Sequence, residues 1–368
     1  MKLVVSRDVL QRSLQVIQGI VGSKSTMPVL SHMLLAVDDS GITISATDLD
    51  IAVKEPLEAE VEESGSVCIP ARKLYEIVRE VPADKLTLES LENNWINITG
   101  KRSKFKLAGL TGADFPAFPE INEGESVVFD PIVLKDIISR VIYATGESDA
   151  RYTLNGIMFH LNPINNTMTV IGTDGHRLSV IKKPFSGEIS EERKVIVPKK
   201  AAAEVRKIIE SYEGDLNISF SKNHIVFIFG GIVLISRLVE GSYPNYEQVI
   251  PKNNEKIMTA VREDILGAVK RTAIIGKERT FPVKMELKDE TAYFSSNNPD
   301  IGEVSEQVAV QYSGEPLTVG FNAHYMIEAL QNLPGDEIVM EMQDSLVPAV
   351  IKQAGSDDYC CVIMPMRI

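Results

Sequence analysis

Apolar residues follow two registers along this chain. Leu10, Leu14, Ile17 and Val21 recur at i, i+4, i+7 and i+11, the stripe of an amphipathic helix, here predicted over 7–18. Ser6 stands where an N-cap belongs. Similar patterns predict helices over 131–143 and 262–274. A second group of helices is predicted over 70–78, 198–209 and 322–330, the first two with a proline placed for the first helical turn. Alternating apolar and polar residues predict strands over 86–91, 95–99, 216–220 and 225–229.

These elements recur in order. Ile44-Ser45-Ala46-Thr47-Asp48-Leu49-Asp50-Ile51 resembles Val170-Ile171-Gly172-Thr173-Asp174-Gly175-His176-Arg177, with Asp174 126 positions after Asp48. A weaker third copy, Phe294-Ser295-Ser296-Asn297-Asn298-Pro299-Asp300, places Asn297 123 positions after Asp174. Each stretch closes on an aromatic or Met followed by Pro: Phe115-Pro116, Tyr243-Pro244, Met364-Pro365. One matched pair would be chance. Helix, strand motif, helix and terminal Pro in the same order three times is a repeat of roughly domain-sized units.

Composition narrows the class. The 368 residues are 44% apolar, enough for several cores. No apolar run reaches the roughly 20 residues that span a membrane. The opening Met1-Lys2-Leu3-Val4-Val5-Ser6-Arg7 lacks the apolar centre of a secretion signal. Cys68 stands alone, and the adjacent Cys360 and Cys361 cannot readily bridge each other. That pattern suits a reducing cytoplasm.

The net charge of −13 argues against nucleic acid if taken alone, but a sum says nothing about distribution. No acid occurs over 9–28 or 265–277, and the mid-unit helices hold Arg72, Lys73, Arg79, Lys199, Lys200, Arg206 and Lys207. Acids concentrate over 55–63 and 188–192.

Little points to catalysis. His176 beside Asp174 and Thr173 has no third group, and no nucleophile-elbow motif occurs. Asp48-x-Asp50 reads as a turn before a Mg²⁺ site. No phosphate loop, Cys-x-x-Cys or His-Glu-x-x-His is present, so neither cofactor nor metal is expected. The Met-bearing apolar end, Val362-Ile363-Met364-Pro365-Met366, is either a last core strand or an adaptable groove.

Thr173-Asp174-Gly175-His176-Arg177-Leu178 and Val362-Ile363-Met364-Pro365-Met366-Arg367-Ile368 resemble hallmarks of the bacterial DNA polymerase III β subunit family, the sliding clamps. Arg151-Tyr152-Thr153-Leu154-Asn155-Gly156, Ser242-Tyr243-Pro244-Asn245-Tyr246 and Phe321-Asn322-Ala323-His324-Tyr325 are similar to further family segments. The resemblance covers the full length. It implies an α+β fold of three repeated clamp domains (1–124, 125–252, 253–368), two helices against antiparallel sheets in each. Two chains would join head to tail as a six-domain ring with helices lining the hole.

The implied function is a non-enzymatic, cytoplasmic processivity factor. It would encircle duplex DNA without reading sequence. It would tether the DNA polymerase III α subunit, the clamp loader, other polymerases and repair proteins through Gln-Leu-x-Leu-Phe-like peptides. Two other readings stay open: a non-encircling peptide-binding scaffold with the same repeat, and a hydrolase using His176.

The resemblance also assigns sites. DNA contacts would come from Arg7, Lys24, Arg72, Lys73, Ser148, Arg151, Tyr152, Lys199, Lys200, Lys270 and Arg271, where phosphate attraction suffices. The bland alternative is ordinary solvated helix faces. The family commonly has Arg where Lys24 stands.

The first part of a peptide pocket would comprise Leu154, Thr173, Gly175, His176, Arg177, Leu178, Pro244, Val249, Val362 and Met364. The second would comprise Arg151, Asn322, Tyr325, Leu346, Pro348, Pro365, Met366 and Arg367. Thr153, often aromatic in the family, leaves the joining strip open. The ring seam would set Arg102, Phe105 and Leu107 against Ile274, Ile275, Asp300 and Glu303, an apolar centre with opposite charges around it. The alternative there is a lysine-protected edge strand.

Overall fold

The computed structural model describes residues 1–22, 27–39, 41–119, 125–187, 189–276 and 282–367. Lys24 lies outside them. Helices and antiparallel sheets alternate throughout. The chain forms two compact units: 1–135 with 186–190 and 200–238, and 136–185 with 191–199 and 239–368.

The first unit holds a five-stranded sheet in the order Ala59–Glu63, Lys2–Ser6, Lys85–Ser90, Trp95–Gly100, Ser103–Ala108. Its ten-stranded sheet runs Leu110–Thr111, Gly65–Pro70, His32–Asp38, Gly41–Thr47, Ile51–Pro56, Ile232–Arg237, His224–Phe229, Leu216–Phe220, Glu125–Phe129, Ser186–Gly187. The second unit holds a nine-stranded sheet, Arg193–Pro198, Gly156–Asn162, Thr167–Thr173, Arg177–Pro184, Tyr359–Ile363, Ala349–Gln353, Glu337–Met342, Lys256–Val261, Gln311–Tyr312. A four-stranded sheet, Gly302–Ala309, Thr291–Asn298, Pro282–Lys288, Leu317–Asn322, completes it.

The compact units cut across the threefold repeat because sheets run on from one repeat to the next. Ile51–Pro56 pairs with Ile232–Arg237, and Arg177–Pro184 with Tyr359–Ile363.

Among the described residues the helices are α1 (Arg7–Ile20), α2 (Ala71–Glu80), α3 (Pro131–Ile142), α4 (Lys199–Glu210), α5 (Tyr246–Val249), α6 (Arg262–Ala273) and α7 (Ala323–Asn332). The stripe Leu10, Leu14, Ile17 and Val21 is buried as its spacing requires. α1 packs on α2, and α6 on α7.

Three local expectations need correction. Ser6 occupies the N-cap of α1, but its hydroxyl makes no capping bond; the Arg7 N–H donates to the Asp84 carbonyl at 2.9 Å instead. Pro70 and Pro198 end strands, and their helices start one residue later. The third copy of the turn is aligned on Asn298, one residue later than expected, because the Asn298 side-chain carbonyl accepts from the Asp300 N–H at 3.1 Å. Asp48 and Asp174 do the same for Asp50 and His176.

Candidate functional site: a pocket beside the second Thr-Asp turn

Thr173 and Asp174 build a tight turn between the strands Thr167–Thr173 and Arg177–Pro184. The Thr173 hydroxyl accepts from the Gly175 N–H at 3.0 Å and donates to the Arg177 carbonyl at 2.6 Å. One Asp174 carboxylate oxygen accepts from the N–H groups of His176 and Arg177, at 2.9 and 3.0 Å. Gly175 has φ +85°, where a side chain is strained, and a Cβ there would sit 2.9 Å from the Arg151 guanidinium.

The hydrolase reading loses its geometry here. The Asp174 carboxylate is spent on turn N–H groups and on Arg177, and the His176 side chain is exposed. Among the described residues no group of three or more His, Cys, Asp or Glu is placed to hold a metal. The Asp48 carboxylate likewise closes a turn and binds Lys200.

Arg177 is held on several sides. Its guanidinium donates to Asp174 at 3.1 Å, to the Glu328 carboxylate, and to the Tyr143 carbonyl at 2.6 Å. It lies over the rings of Tyr325, 4.5 Å away, and Tyr143, 5.3 Å away. Only 11% of its side chain is exposed, and two carboxylates share its charge, as a buried cation needs.

Beside this turn opens a cavity of about 120 Å³ lined by Arg151, Thr173, Gly175, Arg177, Leu178, Pro244, Tyr246, Val249, Val362 and Met364. Leu178 and Val362, opposite each other in neighbouring strands, form its floor. They belong to a core cluster with Met158, Ile171, Val180 and Val350, against which Tyr243, Tyr246, Val249 and Ile250 pack. An apolar cavity near this size accepts a group about as large as benzene. The chain end is pinned on both sides of Met364 and Pro365: Met364 N–H donates to the His176 carbonyl at 3.0 Å and Met366 N–H to the Gly320 carbonyl at 2.7 Å. Tyr359–Ile363 is thus a core strand that delivers Met364 to a groove, and the two readings of the chain end are compatible.

Of the residues expected in the first part of the pocket, the structure brings together Thr173, Gly175, Arg177, Leu178, Pro244, Val249, Val362 and Met364. Leu154 and His176 do not line the cavity. Leu154 is buried in the turn Tyr152–Asn155, and the His176 carbonyl accepts from the Met364 N–H. Tyr246 was missed; it stands in the quoted Ser242–Tyr246 stretch, two residues after Pro244.

In the second part, Arg151 reaches the cavity, held by Asp149 at 3.0 and 3.1 Å and by the Asp174 carbonyl at 3.1 Å. Tyr325 connects to it through Arg177. Asn322 caps α7 through the His324 N–H, and the Pro348 carbonyl accepts from Asn254. Leu346 is 73% exposed. Arg367 lines a separate open groove with Lys284 and Glu303. Asn322, Leu346, Pro348, Pro365, Met366 and Arg367 do not line the 120 Å³ cavity.

Most of the expected DNA-binding cations carry a carboxylate partner. Arg7 pairs with Asp8 (2.7 Å), Lys73 with Glu76 (2.7 Å), Lys199 with Glu147 (3.0 Å), Lys200 with Asp48 (2.5 Å) and Arg271 with Glu306 (2.7 Å). Hydrogen bonds from Lys199 hold the Glu147 carboxyl below its usual range, as those from Arg271 do for Glu306. Arg72 and Lys270 pair with no carboxylate among the described residues. Ser148 takes a left-handed φ of +58° and Tyr152 is 63% exposed.

Phe105, Leu107 and Glu303 sit on edge strands; the other expected seam residues lie in turns or after a helix. Phe105 and Leu107 lie on Ser103–Ala108, the last strand of the five-stranded sheet, with Arg102 in the turn before it. Glu303 is on Gly302–Ala309, the edge of the four-stranded sheet, and Asp300 in the preceding turn. Ile274, 74% exposed, and the half-buried Ile275 follow α6.

A thrice-repeated unit of helices and antiparallel sheets, with an apolar pocket made by two repeats, defines a replication clamp. The chain belongs to the DNA polymerase III β-subunit family: models of the N-terminal, central and C-terminal domains match residues 1–119, 129–245 and 247–367. It is 31% identical to the β sliding clamp of Pseudomonas putida and 30% to that of Escherichia coli K12, all of both chains being covered. Among solved structures, it resembles a DnaN sliding clamp from Bartonella birtlesii bound to griselimycin, with TM-score 0.96, 31% identity and full coverage of both chains. The sliding clamp of Bacillus subtilis matches with TM-score 0.95 and 27% identity, covering 100% of this chain and 99% of that one.

Proposed function

We propose that two copies of this chain close head to tail into a six-domain ring around duplex DNA and tether replication and repair proteins there. The carrying observation is the succession of three clamp-domain matches along the whole chain. It supports three successive domains, which we place at 1–124, 125–252 and 253–368; the C-terminal match itself starts at 247, six residues before the last of these. The edge strands Ser103–Ala108 and Gly302–Ala309 would meet at the seam, since an unpaired edge is a template for another strand and two such arcs close a ring.

The cavity beside Arg177 would take the apolar side chains of Gln-Leu-x-Leu-Phe-like peptides carried by the DNA polymerase III α subunit, the clamp loader and other partners. Micromolar affinity corresponds to about −8 kcal/mol. The relative bound to griselimycin supports a ligand-accepting surface in this family. No chemistry is assigned to the chain, and its place is the cytoplasm. Among the described residues no helix is long and apolar enough to cross a membrane.

Assembly is tested by light scattering at micromolar concentration. The proposal expects a particle of twice the 40.6 kDa chain mass. A strict monomer or an open-ended polymer contradicts the ring and leaves the non-encircling scaffold.

A further inference from the structure

Tyr246, in the pocket wall, is joined to a row of polar side chains. His160, 9% exposed, sits in the strand Gly156–Asn162. Its Nε2 is 2.6 Å from a Glu192 carboxylate oxygen and its Nδ1 is 3.1 Å from the Tyr246 hydroxyl. Lys194, its cross-strand neighbour, pairs with Glu192 at 3.0 Å; Thr169 faces His160 from the other side.

We propose that His160 is a positioning residue for peptide binding: its imidazole holds the Tyr246 hydroxyl, and so keeps the Tyr246 ring and the one-turn helix that carries Val249 in the arrangement that leaves the cavity open. This rests on the reading of that cavity as the peptide site.

The chemistry fixes the proton. Lys194 and then His160 hold the Glu192 carboxyl below its usual range, so it stays ionised and can only accept. Glu192 therefore accepts from Nε2–H, and Nδ1, 3.1 Å away, accepts the Tyr246 O–H when the ring carries that one hydrogen; Glu247 and Thr169 also engage this hydroxyl. Burial pushes Tyr246 up to about 12, so it remains a donor at neutral pH.

The helix α5 needs such an anchor. It is four residues long, with no side-chain cap at Asn245, and one turn is not stable by itself. Tyr246 and Val249 both line the cavity. The Tyr246 ring packs edge-on to the imidazole, at 6.3 Å and 68°. Without the bond, the Tyr246 ring keeps its packing on the core cluster but loses the contact that directs its hydroxyl away from the cavity.

The test uses the full chain and a fluorescein-labelled Gln-Leu-Ser-Leu-Phe peptide, read by anisotropy. His160→Phe and Tyr246→Phe should each weaken binding about fivefold, the worth of one net hydrogen bond. The double variant should be no weaker than either, since both remove the same bond. His160→Asn, whose Oδ1 stands close to the position of Nδ1 and can still accept from the tyrosine, should stay within about twofold of the parent. Unchanged binding in both single variants, additive losses in the double variant, or no rescue by Asn would overturn the inference. Leu178→Asp separates the two claims. If it abolishes binding while Tyr246→Phe does nothing, only the positioning role fails. If it binds normally, the pocket reading itself is wrong.

Discussion

The turns at Thr47-Asp48 and Thr173-Asp174 share a backbone and differ in what they present. In both, the Thr hydroxyl accepts from the N–H two residues on and donates to the carbonyl four residues on; in both, the Asp carboxylate caps two N–H groups. In both, the second turn residue has positive φ, +80° at Leu49 and +85° at Gly175. A strand from the following repeat then donates its N–H to the third turn residue: Arg237 to Asp50 at 2.8 Å, Met364 to His176 at 3.0 Å.

Side chains at three matched positions separate them. The first turn has Leu49, Ala52 and Arg237 where the second has Gly175, Leu178 and Met364. Ala52 opposite Ile235 gives a shallow floor, and Arg237 lies 3.9 Å from Asp50 as a solvated pair. Leu178 opposite Val362, with Met364 at the end of the strand, gives an apolar cavity. The turn motif specifies geometry; the apolar set around it specifies the site.

The sharpest way to break this comparison is Leu178→Asp, which puts an unpaired charge on the cavity floor. Peptide binding should fall about a hundredfold by anisotropy, with the dimer retained in light scattering. If that variant fails to fold, Met364→Ala, on a half-buried side chain, should still cost roughly tenfold. Full affinity in both would place the peptide elsewhere.

Gly175→Ala comes next. A Cβ there meets the Arg151 guanidinium at 2.9 Å in a left-handed backbone. Thermal or urea unfolding should show a loss of about 1–2 kcal/mol, together with weaker peptide binding. The matched change in the first turn, Leu49→Gly, should act oppositely. It relieves the same strain and forfeits little burial at a residue 49% exposed. The expected gain is up to about 1 kcal/mol, with peptide affinity untouched. A loss there would mean the two turns are not equivalent.

The smallest effect is expected at Glu55, which stands where the second turn's strand has Ile181. One of its oxygens accepts from the Ser13 hydroxyl at 2.8 Å, and the other is buried with no hydrogen-bond partner among the described residues. Burial raises its pKa, so folding favours the protonated form. That contribution is complete below the unfolded-state pKa and is lost as pH rises through the folded-state value. Glu55→Gln should therefore stabilise the protein by about 0.5 kcal/mol at pH 7.5, with the gain shrinking towards pH 4. A gain independent of pH would exclude this cause.

Local pattern made much of this readable. The Leu10–Val21 stripe marked α1, and Thr-Asp marked the turns. The third copy slipped by one because its signal is a single side-chain carbonyl, and Pro299 cannot take the positive φ of Leu49 or Gly175. The pairing of the basic residues was hidden for another reason. Lys199 meets Glu147, Lys200 meets Asp48 and Arg271 meets Glu306 across the fold, far outside any helical spacing. Tyr246 was missed because a one-turn helix, too short to show a periodicity, places it in the cavity wall.

Those ion pairs bear on how DNA is held. Exposed pairs contribute only about 0–1 kcal/mol each, so a phosphate can displace the carboxylate with little net gain. A chain of net charge −13 with most of its expected DNA-binding cations paired should grip DNA weakly and owe its retention to closure. The decisive measurement loads the clamp onto nicked circular DNA with a clamp loader, then follows retention by gel filtration at moderate salt before and after linearisation. The account predicts stable retention on circles, insensitive to charge reversal at Arg72 and Lys199, and rapid loss once the DNA has free ends. Equal retention on circles and on linear molecules with unblocked ends would contradict it.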